Sequence, residues 1–118
     1  MALFKRRHIH KIREGRKTQT RRTHKHTWKL GKTYSIRASY FGKPEGHIKI
    51  TKKFKQKLGE ISPEDVKKEG FNSLEEFREA WIEINGNWNP EQIITAYEFK
   101  LLKNMEKLSV KDDDEEAN

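Results

Sequence analysis

The stretch GRKTQTRR, residues 15–22, packs one glycine, four cations and two hydroxyls into eight positions. It follows a segment, residues 3–14, whose apolar residues recur near helical spacing, and Gly15 is a typical residue to follow a helix C-terminus. From position 18 the pattern favours a strand, with Thr20 and Arg22 on one face and Gln19 on the other. The stretch therefore predicts a short basic helix, a sharp corner and a strand.

Lys17 lies at this corner. In an ideal strand Lys17 and Thr20 have opposite parity, so their side chains converge only if Lys17 belongs to the turn or a bulge intervenes. A cation and a hydroxyl held together at a corner can bind an anion or attack a carbonyl group. The alternative is a solvated sheet face, on which Lys, Arg and Thr are common.

The composition limits the class of protein. The chain has 118 residues, 32% of them apolar and 37% charged, and it has no cysteine. One small domain fits this length, and a disulfide framework, cysteine-ligated zinc and a thiol nucleophile are excluded. No apolar run approaches the roughly 20 residues of a membrane span, and the basic N-terminus has no apolar signal-peptide core. We expect a cytoplasmic protein with no membrane partner and no cofactor.

Positive charge is concentrated in the first half of the chain. Residues 1–57 hold 19 Lys and Arg against two acids, a formal charge of +17, whereas residues 58–118 hold 7 against 16, a formal charge of −9. A half-chain this cationic repels itself unless a polyanion is near, so RNA, a nucleotide or another phosphate-rich ligand is the expected partner. A generally charged surface explains the total better than it explains this segregation.

Two further strands are predicted between the basic stretch and the middle of the chain. Alternating apolar residues favour a half-buried strand over residues 33–38 and a long strand over residues 47–58. The alternation in the long strand breaks near Lys52 and Lys53, which predicts a bulge. One face of this strand is expected in the core, and the other carries a row of cations: Lys49, Lys52, Lys53, Lys55 and Lys57.

The second half of the chain predicts two helices and a strand. Ser62 followed by Pro63 is typical of a helix start, and Gly70 is typical of a helix end. Ser73 and Glu76 have the spacing of a capping box for a second helix that ends at Gly86. Its expected core stripe consists of Leu74, Phe77, Trp81 and Ile84. A strand over residues 93–101 follows, with Ile93, Thr95, Tyr97, Phe99 and Leu101 on one side.

These elements predict an α+β fold. Four or five strands, mostly antiparallel, are expected to close into a small barrel with about three short helices packed around it. The domain is expected to span residues 1–102. Residues 103–118 end in an acidic run and are predicted to form a disordered tail.

In this order the elements resemble the ASCH domain, a PUA-like β-barrel, over about residues 3–102. The motifs that carry the resemblance are GRKTQTRR (15–22), EGF (69–71) ahead of SLEEF (73–77), and YEF (97–99). The family's usual core motif is G-x-K-x-x-E-x-R. Gly15, Lys17 and Arg22 match it, and Thr20 stands where the acid usually is.

This departure is similar to the subgroup of small ASCH proteins that hydrolyse the acetyl amide of N(4)-acetylcytidine. The resemblance implies a catalytic set of Lys17, Thr20 and Glu69. In that chemistry the Thr20 hydroxyl attacks the amide carbon, Lys17 acts as the base, and Glu69 passes a proton to the departing amine. Flanking arginines and partial burial favour the lowered lysine pKa that such a base needs.

Binding without catalysis is the function we predict first, with the amidohydrolase as the alternative and RNA cleavage, an activity associated with some ASCH proteins, as a second alternative. A basic cleft lined by Lys17, Thr20, Arg22 and Glu69 is expected to hold RNA or a nucleotide, and the protein is expected to be a monomer. The residues predicted to contact nucleic acid are Arg16, Lys17, Arg21, Arg22, Lys49, Lys52, Lys53 and Lys55.

Other residues have two possible roles. The pairs His8/His10 and His24/His26 have H-x-H spacing, but no third ligand is fixed nearby, so exposed histidines are favoured over a metal site. Trp28 and the pair Tyr40-Phe41 either stack on a base or anchor the core and loops.

Overall fold

The structure is a computed structural model and describes residues 1–23 and 27–102. The histidine pair His24/His26 and the predicted acidic tail lie outside these residues. The described elements begin with strand β1 and end with strand β5. In chain order they are β1 (Ala2–Leu3), α1 (Arg6–Arg13), β2 (Gln19–Arg22), β3 (Thr33–Arg37), β4 (His47–Lys57), α2 (Pro63–Lys68), α3 (Leu74–Asn85) and β5 (Ile93–Leu101), with a 3-10 turn at Leu58–Glu60.

The five strands form one sheet in the order β1-β3-β4-β5-β2. The β1–β3 pair is parallel and the other pairs are antiparallel. The α+β class and the mostly antiparallel sheet are confirmed. The predicted closed barrel is wrong, because β1 and β2 are the two edge strands of the sheet and do not pair with each other. A side chain spans the gap instead of a backbone ladder: Nη2 of Arg22 on β2 donates to the carbonyl of Leu3 on β1 at 2.7 Å.

The first helix is shorter than the predicted segment 3–14. Ala2 and Leu3 pair with Ile36 and Arg37 of β3, and the amide of Phe4 donates to the carbonyl of Arg37 at 3.0 Å. These bonds hold the N-terminal residues extended, so the helix begins at Arg6. Gly15 follows it with φ of 81°, as the predicted corner requires.

The start signals of α2 and α3 are confirmed. Ser62 and Ser73 accept hydrogen bonds from the amides of Asp65 and Glu76, both at 3.1 Å. The predicted apolar stripe of α3 is only half buried: Phe77 and Trp81 lie in the core, whereas Leu74 and Ile84 are about half exposed.

The predicted bulge in β4 is present, since the register against β5 shifts between Ile50 and Lys52. Before the shift, Ile48 and Ile50 are buried in the cluster around Trp28 and Tyr97. After it, Phe54 packs on a second cluster with Phe77 and Trp81. The bulge thus turns the core-facing side of β4 from one face of the sheet to the other.

Strand β5 is buried on both faces, because one core cluster lies on each side of the sheet. Ile94 and Ala96 belong to one cluster, and Tyr97 and Phe99 belong to the other. Ile93 is exposed, although Thr95, Tyr97 and Phe99, predicted on the same side of the strand, are buried. No helix in the described part of the chain has the length and apolar character that crossing a membrane requires.

Candidate functional site

A cavity of about 360 Å³ lies where the two edge strands of the sheet face each other. Its walls come from the N-terminal segment, from β2, from the end of α2 and from α3. This site cavity is lined by all three residues predicted as catalytic, Lys17, Thr20 and Glu69, and by Arg21 and Arg22. Its volume is in the range of sites for small molecules.

Lys17 reaches this cavity from the turn that precedes β2. The amide of Lys17 donates to the carbonyl of Lys11 at 3.1 Å, which folds the chain back over the end of α1. The strand begins only at Gln19, so Lys17 is not bound by the strand's alternation. Because Lys17 belongs to the turn, its side chain and that of Thr20 can line the same cavity despite their opposite parity in an ideal strand.

Glu69 ends α2 and comes close to Lys17. Its amide donates to the carbonyl of Asp65 at 2.9 Å, and Gly70 follows with φ of 95°, a conformation that side chains rarely adopt. A Cβ atom at Gly70 would lie 3.1 Å from Cδ of Lys11 and 3.3 Å from Cβ of Lys17. Glycine is therefore needed here both for the turn and for the close approach of Lys17.

Four charged residues form an ionic cluster in and beside the cavity; Lys17, Arg21 and Glu69 are buried and Asp65 is partly buried. Nζ of Lys17 donates to the main-chain carbonyl of Glu69 at 2.9 Å and to its Oε1 at 3.3 Å. Nη1 of Arg21 donates to Oε2 of the same carboxylate at 3.2 Å, and Nη2 donates to Asp65 at 3.3 Å. Both oxygens of Glu69 are thus used, one by each cation. We call Lys17, Arg21, Asp65 and Glu69 the ionic cluster.

Burial dominates the electrostatics of Lys17. The residue is 3% exposed, and loss of water lowers its pKa even though the nearby Glu69 carboxylate opposes the change. A neutral lysine has two N–H groups and one lone pair. Because Glu69 offers two acceptors to Nζ, both N–H groups of the neutral form are satisfied and the lone pair stays available for a proton.

Thr20 and Arg22 lie on the opposite face of β2 from Arg21. Nε of Arg22 donates to Oγ1 of Thr20 at 3.2 Å, as the predicted alternation of the strand requires. The guanidinium also stacks on Phe4 and Trp28, at 4.6 and 5.0 Å from the ring centres. Removal from water lowers the pKa of Arg22 to about 10, so it stays cationic at neutral pH.

Three buried nitrogen atoms in residues that line the cavity have no hydrogen-bond partner in the described structure: Nε2 of His8, Nε of Arg21 and Nε1 of Trp81. An unmet buried polar atom costs about 1–3 kcal/mol. Burial, together with the charge of Lys17, lowers the pKa of His8 to about 3, so this histidine is neutral. These three atoms are buried within the wall, so they add to the cost of folding rather than to the polar surface that a ligand would meet.

The other predicted contact residues lie elsewhere. Arg16 is exposed and pairs with Glu14 at 2.6 Å. The β4 lysine row, Lys49, Lys52, Lys53 and Lys55, is exposed and does not line the cavity. The bulge also divides this row, since Lys52 is opposite Glu98 and Lys53 is opposite Tyr97 on the other face.

The structure does not show the basic cleft that the sequence predicts. It shows a cavity with mixed walls, in which aromatic side chains lie beside cations already paired with carboxylates and carbonyls. Phe71, Phe77 and Trp81 form much of the apolar wall. The aromatic residues of α3 were predicted to lie in the core alone. In the structure Phe77 and Trp81 lie in the core and also line the cavity.

Sequence reasoning missed Asp65, Gln19 and Gln56 as partners of Arg21. Nη2 of Arg21 donates to Oε1 of Gln56 at 2.6 Å, and Nη1 bonds to the Gln19 side chain. One signal was available: Asp65 and Glu69 are four residues apart on a helix, so their carboxylates share a face and a single cation can meet both. Gln19 is two residues from Arg21 on β2, so the alternation of the strand also puts these two side chains on one face. The contact with Gln56 on β4 depends on how the strands come together, which the sequence does not display.

His8 and His10 do not form a pair that could grip a metal. They lie on helix α1, where His8 is buried against Phe71 with ring centres 5.9 Å apart and His10 is exposed. Within residues 1–23 and 27–102, no group of three or more potential ligand side chains is placed to hold a metal ion.

Comparison with solved structures identifies proteins with a similar fold. An ASCH domain from Lactobacillus crispatus is 18% identical and superposes with a TM-score of 0.70, covering 80% of this chain and 69% of that one. A protein from Enterococcus faecalis is 19% identical with a TM-score of 0.64, over 81% of this chain and 70% of that chain. A serine-to-alanine variant of an ASCH protein from Zymomonas mobilis is 15% identical with a TM-score of 0.54, over 94% and 92%.

No protein-family profile and no curated protein sequence matches the chain. At these identities the likeness concerns the fold alone. The chain has the ASCH domain fold, as the motifs at residues 15–22, 69–77 and 97–99 predicted.

Proposed function

We propose that this ASCH-fold protein binds RNA or a nucleotide and holds one nucleoside unit in the site cavity. The observation that carries the proposal is the convergence in one cavity of a buried lysine, a buried threonine and an arginine-bonded carboxylate beside aromatic walls. Aromatic rings suit the flat face of a base, and the Thr20 hydroxyl and the charged groups beside it suit the base's carbonyl and amine edge. The surrounding positive charge suits phosphates.

The nucleoside unit and the phosphates would contact different parts of the protein. The cavity has room for a small molecule, whereas the β4 lysine row and Arg16 lie outside it. These exposed cations exceed what a free nucleoside requires, which supports a ligand with several phosphates. Binding of a short single-stranded RNA should then weaken with salt, and log K should fall against log salt with a slope near −3.5 for about five phosphates.

A salt titration tests this proposal. Retention of a labelled single-stranded RNA on a filter, measured at several salt concentrations, gives the slope directly. A flat response to salt, or no retention at low salt, would contradict RNA binding.

Hydrolysis of N(4)-acetylcytidine is a second function that one observation favours: Lys17, with its lowered pKa, donates to Glu69 in the cavity that Thr20 also lines. The Thr20 hydroxyl would form a bond to the acetyl carbon while its proton passes to Nζ of Lys17. The hydrogen bond from Nζ to Oε1 offers this proton a route to Glu69, which would hand it to the amine as the carbon–nitrogen bond breaks. Water then attacks the acetyl ester of Thr20: its oxygen joins the acetyl group to give acetate as the ester bond breaks, one of its protons restores the Thr20 hydroxyl, and the other is released.

Arg22 supports the same step. Its Nε already donates to Oγ1 of Thr20, so the positive charge stabilises the oxygen as it loses its proton. RNA cleavage receives less support, since His8, the histidine in the cavity wall, is buried and neutral with a pKa of about 3.

Release of cytidine from N(4)-acetylcytidine, followed by chromatography, tests the second function. Because Lys17 must be neutral to act as a base, the rate should rise with pH until the lysine is deprotonated. Lys17→Ala should abolish release. Wild-type protein that releases no cytidine would leave RNA or nucleotide binding as the function and contradict the hydrolase.

A further inference from the structure

Two adjacent aromatic side chains stand out from the surface beside the site cavity. Tyr40 is 63% exposed and Phe41 is 93% exposed, and their rings meet edge to face at 4.9 Å. Both lie between β3 and β4, at the two central positions of a turn from Ser39 to Gly42. Single exposed apolar residues are ordinary, but an adjacent pair this exposed at the tip of a turn is not.

The turn that presents this pair is fixed on both sides. The amide of Gly42 donates to the carbonyl of Ser39 at 3.0 Å, and Nη1 of Arg37 donates to the carbonyl of Gly42 at 3.1 Å. A Cβ at Gly42 would lie 2.9 Å from Oγ of Ser39, a side-chain atom that can rotate away, so the turn is held by these two hydrogen bonds rather than by a need for glycine. The aromatic pair is therefore held in place before any ligand arrives, which lowers the entropic cost of binding.

The turn is also tied to the cavity. Ala38, which precedes it, lines the cavity, and two residues of chain span at most about 7 Å. The segment after the turn is held to α1 by the ion pair between Arg6 and Glu45. Exposed cations flank the pair, with Lys5 at the cavity wall and Lys43 next to the turn.

We infer that Tyr40 and Phe41 form a stacking platform for bases of single-stranded RNA that flank the nucleoside in the cavity. The inference rests on the proposed function and narrows it: the ligand is an RNA strand rather than a free nucleoside. Exposed rings beside lysines suit this ligand, since every base has a face to stack and every linkage a phosphate to pair. A free nucleoside fills the cavity and has no base left for the platform.

Fluorescence anisotropy with a labelled ten-nucleotide single-stranded RNA tests the platform. Phe41→Ala should weaken binding about 10-fold, the lower part of the range for losing one stacked base. The slope of log K against log salt should stay unchanged, because stacking releases no counterions. Phe41→Tyr should restore the affinity. Leu30→Ala is the matched control, since Leu30 is 62% exposed on a different loop and should not matter.

Equal RNA affinity of Phe41→Ala and wild type would overturn the inference, as would an equal loss in Leu30→Ala. A wild-type protein that sediments as a dimer while Phe41→Ala sediments as a monomer would also overturn it, since the pair would then be a contact between copies. Cytidine binding in the same proteins separates the two proposals. Wild type that binds RNA but not cytidine contradicts the cavity assignment, and the Phe41 comparison still decides the platform.

Discussion

The ionic cluster and the β4 lysine row are both rich in cations and both lie on one sheet, yet their surroundings differ completely. Lys17, Arg21 and Glu69 are at most 5% exposed, and each makes charged hydrogen bonds of 3.2–3.3 Å. The lysines of β4 are exposed and keep their water. Burial lowers the pKa of Lys17.

The two groups of cations are therefore suited to different tasks: the ionic cluster to specific contacts with a ligand, and the lysine row to long-range attraction of an anion. In the cluster, low dielectric makes each charge depend on its partner, so removing one partner leaves another stranded. In the row, water and salt screen each charge, and the lysines act mainly through their summed field. The first region can hold a ligand atom at a fixed position beside buried charges, whereas the second can raise the rate at which a polyanion arrives.

The largest expected effect is on turnover. Thr20→Val removes the proposed nucleophile but keeps the shape of the side chain, so cytidine release from N(4)-acetylcytidine should fall by about 10³-fold or more while nucleoside affinity stays nearly the same. Thr95→Val is the matched control, because Thr95 is buried on β5 and does not line the cavity. Undiminished release from Thr20→Val would remove Thr20 from the reaction.

The next largest expected effect is on the free energy of unfolding. Glu69→Gln removes the charge that both Lys17 and Arg21 pair with, and breaking a buried ion pair in this way costs about 3–5 kcal/mol of unfolding free energy. Urea denaturation measures it. Lys57→Gln breaks the exposed pair with Glu91 and should leave the midpoint where it is. Similar midpoints for Glu69→Gln and wild type would mean that the cluster does not hold the fold together.

Gly70 and Gly86 allow a substitution next to the site to be compared with the same substitution away from it. Gly70 and Gly86 both end helices with φ of 95° and 90°, so alanine at either should cost about 1–2 kcal/mol of stability. Only at Gly70 would the new Cβ press on Lys17, because a Cβ at Gly86 meets nothing within 4 Å. Gly70→Ala should therefore also weaken nucleoside binding, measured by calorimetry, and Gly86→Ala should not. Equal binding by both variants would show that the tight packing on Lys17 is unimportant.

The smallest effect on the fold is expected from the row. Replacing Lys49, Lys52, Lys53 and Lys55 together by Gln should leave the unfolding midpoint and cytidine binding unchanged. The salt slope for RNA should become shallower by up to about 2.8, at roughly 0.7 for each of four phosphate contacts. An unchanged slope would show that these lysines do not contact phosphates.

The sequence predicts the elements of this fold well where local rules decide them. The serine caps at Ser62 and Ser73, the glycines at 15, 70 and 86, and the bulge near Lys52 all depend on residues close in sequence. Whether the sheet closes into a barrel could not be predicted from residues close in sequence. Closure depends on whether β1 and β2 pair, and only the fold shows that two residues of β1 run parallel to β3 and that Arg22 spans the remaining gap.

The candidate site was predictable in part. The resemblance to the ASCH subgroup implied Lys17, Thr20 and Glu69 as one set, and the structure brings all three to one cavity. The sequence could not tell the exposed cations from the buried ones, because Lys17 and Lys49 look alike in a basic stretch. Burial of Lys17 comes from Glu69 and Gly70, which are more than 50 residues away.

Cytidine binding, measured by calorimetry on three proteins, tests most directly whether the ionic cluster rather than the lysine row forms the site. The proteins are wild type, the fourfold β4 variant and Lys17→Met, in which Glu69 keeps Arg21 as its counter-ion. Wild type and the fourfold variant should bind alike. Lys17→Met should bind at least about 10-fold more weakly, because the ammonium form of Lys17 has a third N–H beyond the two that Glu69 accepts, and methionine has none. Equal binding by Lys17→Met, or loss of binding in the fourfold variant, would contradict this assignment.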